Sequence, residues 1–416
     1  MLLGARSICL KKLIPHIFIP AASILFIIFL MIFSRTAVIS VLHSIDLWMG
    51  TVFPSLFPFL VASEILSSTG FVKAAGVFFE PLMRPLFNLP GCSSYPFALG
   101  IISGCPVGAK AAARMRKDNL LSKEEGERLL AFCNNSGPLF ITGAVAMGML
   151  KMPSLGPFLL VCHIASSVST GFLFGLFSRR KTVMSKTAMP KAIGKEKVIS
   201  TEIGVKRNRI ITRSDIGTML VDAIVNSMAT MMAIGGFIIF FSVIIGILSE
   251  SGALKILSGM LVIFSMASKN PDLSMDIMSS LISGFIEITT GLKQASSLDG
   301  ISLTAKLVLT SIIMGWGGLS VHFQVQSAIR NTDLSIKPYL LGKLLQSTFA
   351  ALYAYAGLKI TCHAAEISNE VFYTTQSVKT VTWLQYLGSS CRHILFFLAS
   401  MLAVTVITIP LIHKKK

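Results

Sequence analysis

The chain has 416 residues, of which 53% are hydrophobic and only 13% charged, with a mean hydropathy of +0.73. A soluble domain typically carries about 25% charged residues, so this chain cannot cover a water-facing surface, and an ordinary cytosolic enzyme is excluded. The formal net charge of +18 does not describe a nucleic-acid-binding face either. The bases fall in short runs between long apolar stretches, the pattern of a multi-spanning membrane protein with its positive loops inside.

A helix that crosses about 30 Å of hydrocarbon needs about 20 mostly apolar residues. Residues 13–33 supply the first such stretch. It reads as a retained span, because its apolar core is longer than that of a cleaved leader and no good cleavage site follows. The second runs over 45–66 and contains Pro54 and Pro58. Residues 71–89 are amphipathic and read as an interfacial helix. Residues 95–108 are apolar but too short to cross, and break at Ser103-Gly104-Cys105-Pro106. A charged helical stretch at 109–128 precedes spans at 129–150 and 154–177. Residues 178–214 then hold eleven bases against two acids, half of the net charge of the whole chain.

After that linker, 222–248 is one long apolar stretch and 253–267 is short and amphipathic. Residues 275–291 are short and broken by Gly284. Spans follow at 306–329, 338–358 and 391–413, ending in Lys414-Lys415-Lys416. With the linker inside and 359–390 outside, the chain needs eight crossings and two segments that enter and return. The expected fold is an all-α integral membrane protein of about eight transmembrane helices plus two re-entrant helical hairpins. Its parts are an anchor at 1–44, a first repeat at 45–177, the basic cytoplasmic linker at 178–214, a second repeat at 215–358, and an extracytoplasmic loop with a final helix at 359–416.

The two halves align. When Ser103 is set against Ser283, the same offset sets Leu129, Gly137 and Leu139 against Leu309, Gly317 and Leu319. Upstream, Ser67-x-x-Gly70-x-x-Lys73 matches Ser249-x-x-Gly252-x-x-Lys255. In the topology above the first of these turns is inside and the second outside, so the repeats are inverted. Inverted repeats with broken helices are a mark of secondary transporters, and backbone groups freed by a break persist in a membrane only where they line a cavity or bind something.

The candidate substrate-binding residues follow from these breaks. In the first hairpin they are Ser103, Gly104, Pro106, Gly108 and Lys110. Pro106 suits the start of the returning helix, whose N–H groups favour an anion. Lys110 reads either as an added positive charge there or as a lysine reaching to water along its own stem. Asn134, Asn135, Ser136 and Gly137, followed by Pro138, are poor helix formers. They read as an unwound, ligand-facing segment or as a kink. In the second half the candidates are Ser283, Gly284, Glu287, Thr289, Trp316, Gly317, Gly318 and Ser320. Gly317-Gly318 makes the paired break, and Trp316 offers a surface for a stacking ring. An acid at membrane depth such as Glu287 is functional by default. It would hold a proton, bind Na⁺ or take a hydrogen bond from substrate, unless it simply pairs with Lys293.

The seven cysteines are scattered, without a CxxC or a His/Cys cluster. Neither a zinc motif, nor a Ser/His/Asp set, nor paired catalytic carboxylates appear. No metal, cofactor or enzymatic activity is expected. The expected partners are the lipid bilayer and a small solute, with no nucleic acid, and the coupling ion (H⁺ or Na⁺) stays open.

The run GIISGCPVGAK at 100–110, followed by LLSKEEGERLLAFCNNSGPLFITGAV at 120–145, resembles the YlbJ (SpoVV) family of sporulation integral membrane proteins. The resemblance covers about 45–360 in architecture and is specific over 99–145. That family carries nucleoside-recognition (Gate) domains, which are similar to the core of concentrative nucleoside transporters. There two opposed hairpins and two broken helices enclose the substrate. The resemblance implies a multi-pass protein of the outer forespore membrane in an endospore-forming bacterium, moving dipicolinic acid, a planar aromatic dianion, toward the developing spore. A non-transporting scaffold or signalling protein, or a true nucleoside transporter, are the alternatives.

Overall fold

The computed structural model describes residues 19–68, 80–184, 213–265 and 271–367. Residues 69–73 of the first turn, 71–79 of the interfacial stretch, most of the basic linker, and residues 368–416 of the final loop and span lie outside the described residues. Those described are helical, with no strand among them. Helix α1 (Ile19–Ile32) leads into α2 (Ser34–Leu47), a π-helical turn (Trp48–Val52) and α3 (Phe53–Ser68). Among the described residues four stretches are long and apolar enough to cross a membrane: Ser34–Ala62, Pro153–Ser178, Gly217–Glu250 and Leu303–Ile329. The outer faces of α1, α2 and the later helix α9 (Arg213–Glu250) present large apolar side chains such as Met31, Val38 and Met232, as a lipid-facing surface does.

The expected charged helix at 109–128 is two elements. Helices α4 (Ser94–Ile102) and α5 (Val107–Lys117) form a hairpin, and α6 (Lys123–Cys133) begins after a turn. Ser122 starts α6: its hydroxyl accepts the Glu125 N–H at 3.2 Å, and the Glu125 carboxylate accepts the Ser122 N–H at 2.9 Å. This reciprocal cap satisfies two backbone donors that no helical carbonyl reaches. After the break at 134–137 the chain resumes as α7 (Phe140–Met149), in π geometry, and then α8 (Gly156–Met184).

The second half repeats this order. It runs α9, α10 (Ala253–Ser265), the helix pair α11 (Pro271–Ile286) and α12 (Ile288–Ser296), then α13 (Leu303–Trp316), a break at Gly317, α14 (Gly318–Ile329) and α15 (Lys337–Ile367). Ser302, the counterpart of Ser122 in the alignment of the halves, caps α13 through the Ala305 N–H at 3.2 Å. Gly317 and Gly318 both take positive φ, 89° and 80°, a conformation that side chains with a Cβ resist. Helix α13 is 14 residues long against 11 for α6. The longer helix offsets the shorter break, so the register between the halves is the same on both sides of it.

The hairpins depart from that register. The sequence places the second break at Gly284, but α11 runs through Gly284 and ends at Ile286; Glu287 is the turn. Gly284 is a contact. A Cβ on Gly291 would overlap the Gly284 backbone, as one on Gly100 or Gly108 would overlap the Cys133 carbonyl. The structural mate of Gly284 is therefore Gly100 rather than Gly104, and the match of Ser103 to Ser283 pairs a hairpin tip with mid-helix.

Helix α15 packs along α13, α8 and α6 and joins the halves. At one end of the molecule Arg116 grips Asp333 with two bonds, 2.8 and 3.0 Å, and the Glu127 carboxylate accepts the Ser335 N–H. The guanidinium holds the exposed Asp333 carboxyl below its ordinary value.

Replacing Gly100 with alanine is expected to destabilise the protein by about 1–3 kcal/mol, because the added methyl has no space. Gly236→Ala, which meets no atom within 4 Å, is expected to leave stability unchanged or slightly raised. Thermal unfolding of the purified variants in detergent measures both.

Candidate functional site

Each break frees backbone groups that hydrocarbon cannot satisfy, and neighbouring side chains take them. At the first break, Ser167 of α8 donates its hydroxyl to the Phe132 carbonyl at 2.8 Å. The Asn135 side-chain amide donates to the same carbonyl at 2.9 Å. His163 Nε2 accepts the Ser136 N–H at 3.1 Å. At the second break, Ser347 of α15 donates to the Ile312 carbonyl at 2.9 Å. Ser347 and Ile312 are the aligned counterparts of Ser167 and Phe132, so the halves repeat an interaction as well as a sequence of elements. Trp316 donates its indole N–H to the Phe285 carbonyl at 3.1 Å.

Between the breaks lies a cleft of about 750 Å³, counting its open mouth. Its apolar wall comes from α3 and α9, including Leu56, Phe59, Ile234 and Phe237. Its polar side brings together both hairpin tips and both breaks: Ser103, Gly104 and Cys105; Ser136 and Gly137; Glu287 and Thr289; Ser320 and Gln324. Seven of the residues singled out from sequence therefore line one space. Glu287 is 1% exposed. One of its oxygens accepts the Thr290 N–H at 2.6 Å, which caps α12, and Lys293 is exposed and not its partner.

The other candidates sit elsewhere. Gly108 and Gly284 form helix crossings, and Gly317 and Gly318 shape the second break. Pro106 precedes α5. Lys110 is exposed and does not reach the cleft. Trp316 spends its ring on the protein: it stacks on Phe285 at 5.1 Å and meets His322 edge-on at 4.4 Å. Ser283 is fully buried with no partner for its hydroxyl.

Asn134 and Asn135 stand one layer behind the cleft wall, at 1% and 2% exposure. Asn134 reaches the Cys105 sulfur at 3.3 Å and the Tyr339 hydroxyl at 3.4 Å. Tyr339 in turn meets His322 Nδ1 at 3.1 Å. Asn135 Oδ1 accepts from Gln346 Nε2 at 2.9 Å, and Gln346 Oε1 accepts from the Lys343 amine at 2.8 Å. His163, Tyr339, Lys343 and Gln346 were not among the sequence candidates. Lys343 and Gln346, one turn apart on one helix face, carry the signal that was available: a cation and an amide inside an apolar stretch.

Buried polar side chains on two broken helices, set in apolar spans, define an integral membrane protein with an internal polar-sided cleft. Residues 49–174 match the Gate family model, described as nucleoside recognition. The chain is 37% identical over 315 residues to the sporulation integral membrane protein YlbJ of Bacillus subtilis (strain 168), covering 74% of each chain. It belongs to that family of sporulation membrane proteins. Solved structures of CNTnw are also similar. An outward-facing state gives a TM-score of 0.47 at 16% identity, covering 74% of this chain and 76% of that one. An inward-facing, substrate-bound state gives 0.45 at 15%, covering 74% of each.

Because His163 accepts the Ser136 N–H, His163→Ala leaves that part-buried donor unmatched, an expected loss of about 1 kcal/mol. His43 is exposed, and His43→Ala is expected to be neutral. Unfolding midpoints of the two purified variants test the difference.

Proposed function

We propose that the chain is a transporter that carries a small aromatic carboxylate of the dipicolinate type across the outer forespore membrane during spore maturation. The observation that carries the reading is the convergence of two hairpin tips and two helix breaks on one cleft. In this reading α4–α5 and α11–α12 are re-entrant hairpins, entering from opposite sides. Helix α1, the broken helix α6–α7, α15 and the final span add to the four long apolar stretches to make eight crossings. Rocking one repeat against the other then exposes the cleft to each side in turn.

The chemistry of the cleft supports a flat, polar-edged solute. Phe59 and Phe237 offer apolar surface to a ring, and Ser103, Ser136, Thr289 and Ser320 stand on the polar side of the cleft. Glu287 is the residue to carry a co-transported H⁺ or Na⁺. The Gate description favours a second reading, a nucleoside as the solute.

Purified protein in liposomes is expected to take up labelled pyridine-2,6-dicarboxylate. Asn135→Ala and Glu287→Ala are expected to slow uptake by about tenfold or more, the worth of one buried polar contact. No uptake above protein-free liposomes rejects the reading, and uptake of uridine in its place selects the second. For the topology, a cysteine placed at 180–210 should resist an impermeant label applied from outside, and one at 360–390 should react.

A further inference from the structure

Lys343 is 2% exposed, yet among the described residues its amine has a single hydrogen-bond partner, Gln346 Oε1 at 2.8 Å. An ammonium carries three donors. No carboxylate among the described residues lies within ion-pair distance of it. The pairs there, Arg114–Asp118, Arg116–Asp333 and Lys123–Glu127, involve other bases. The titratable groups that sense Lys343 are Cys105, Cys133, His163 and His322, none of them an acid at neutral pH in its ordinary state. A buried cation without a counter-charge is strongly unfavourable, and inside a membrane protein it marks a solute or ion path.

Its position gives it a direction. Gln346 passes the contact to Asn135 Oδ1 at 2.9 Å, and the next residues, Ser136 and Gly137, line the cleft. Helix α15 comes close enough for this because Gly342 lies against Ala131 of α6 and Ser347 lies against Gly315 of α13. Cys105, which also lines the cleft, is 3.3 Å from Asn134 in the same layer. The opposing acid, Glu287, is tied to the N-terminus of α12, which neutralises part of its charge.

We infer that Lys343 is the fixed cation that makes the cleft select a carboxylate-bearing solute, acting as a positioning residue through Gln346 and Asn135. The inference rests on the reading of the cleft as the solute site. Lys110, the basic residue that the sequence offers for this role, is on the surface.

The test compares two probes of one shape, pyridine-2,6-dicarboxylate and pyridine-2,6-dicarboxamide, by binding to the purified full chain in detergent. Wild-type protein is expected to prefer the dicarboxylate. Lys343→Met removes the charge and keeps the stem, and is expected to lose that preference by about tenfold, the size of a charge acting across one buried layer rather than in direct contact. Lys343→Arg is expected to keep most of it. Gln346→Glu retains the lysine but sets a carboxylate against it, and is expected to lose the preference as Lys343→Met does; it carries the test if Lys343→Met does not fold. A wild-type protein without charge preference, or a folded Lys343→Met or Gln346→Glu with the wild-type preference, overturns the inference. Charge-selective binding without movement across liposomes overturns the transport reading and leaves the inference standing.

Discussion

A helix that stops inside hydrocarbon leaves carbonyl and N–H groups with no water to take them. This constraint organises the molecule. The Phe132 carbonyl needs Ser167 and the Asn135 amide, the Ser136 N–H needs His163, and the Ile312 carbonyl needs Ser347. Apart from the Asn135 amide, those partners come from α8 and α15, so the two long helices have to lie beside the two broken ones. Close approach in turn requires backbone without side chains at the crossings. Gly100 and Gly108 meet Cys133, Gly291 meets Gly284, and Gly342 meets Ala131. A glycine in a membrane helix costs some local stability, and here the return is a hydrogen bond that no other geometry supplies.

Once the breaks are stabilised, the groups not consumed by the fold point inward. Serines at the first hairpin tip and at both breaks face the cleft, opposite aromatic and aliphatic side chains of α3 and α9. The asparagines have a different place. They hold the break from behind and connect it to a buried layer of Tyr339, His322, Gln346 and Lys343. The cleft surface is uncharged except for Glu287, and the positive charge sits one layer deeper. In the proposed reading a solute there meets the serines of the wall and a positive field from behind it.

Much of this was legible in the sequence, for identifiable reasons. The membrane class follows from composition, and the first break from five consecutive poor helix formers at 134–138. The second break follows from two adjacent glycines that both adopt positive φ. The pairing of the halves was readable at the broken helices, where one offset relates Ser122 to Ser302 as caps and Ser167 to Ser347 as the donors to the Phe132 and Ile312 carbonyls. The hairpins misled, because Ser-Gly at 103–104 and at 283–284 look alike while only the first is a tip. In α11 the glycine is there for contact, and a glycine that turns the chain cannot be told in sequence from one that lets another helix approach.

The different placement of Lys110 and Lys343 has a related reason. Lys110 stands beside a conspicuous turn, but the helix carries it outward. Lys343 stands in the second turn of a helix whose first residue is Lys337, where a lysine reads as reaching to water. Its burial depends on α6, α8 and α13 closing around it, which no local pattern encodes.

A structure of the full chain with pyridine-2,6-dicarboxylate bound tests the central claim most directly. The account predicts solute density in the cleft between Ser103, Ser136, Glu287 and Ser320, with its carboxylate toward the Asn135 side. Density on an outer face of the helices, with the cleft between the two breaks filled by protein, would contradict it.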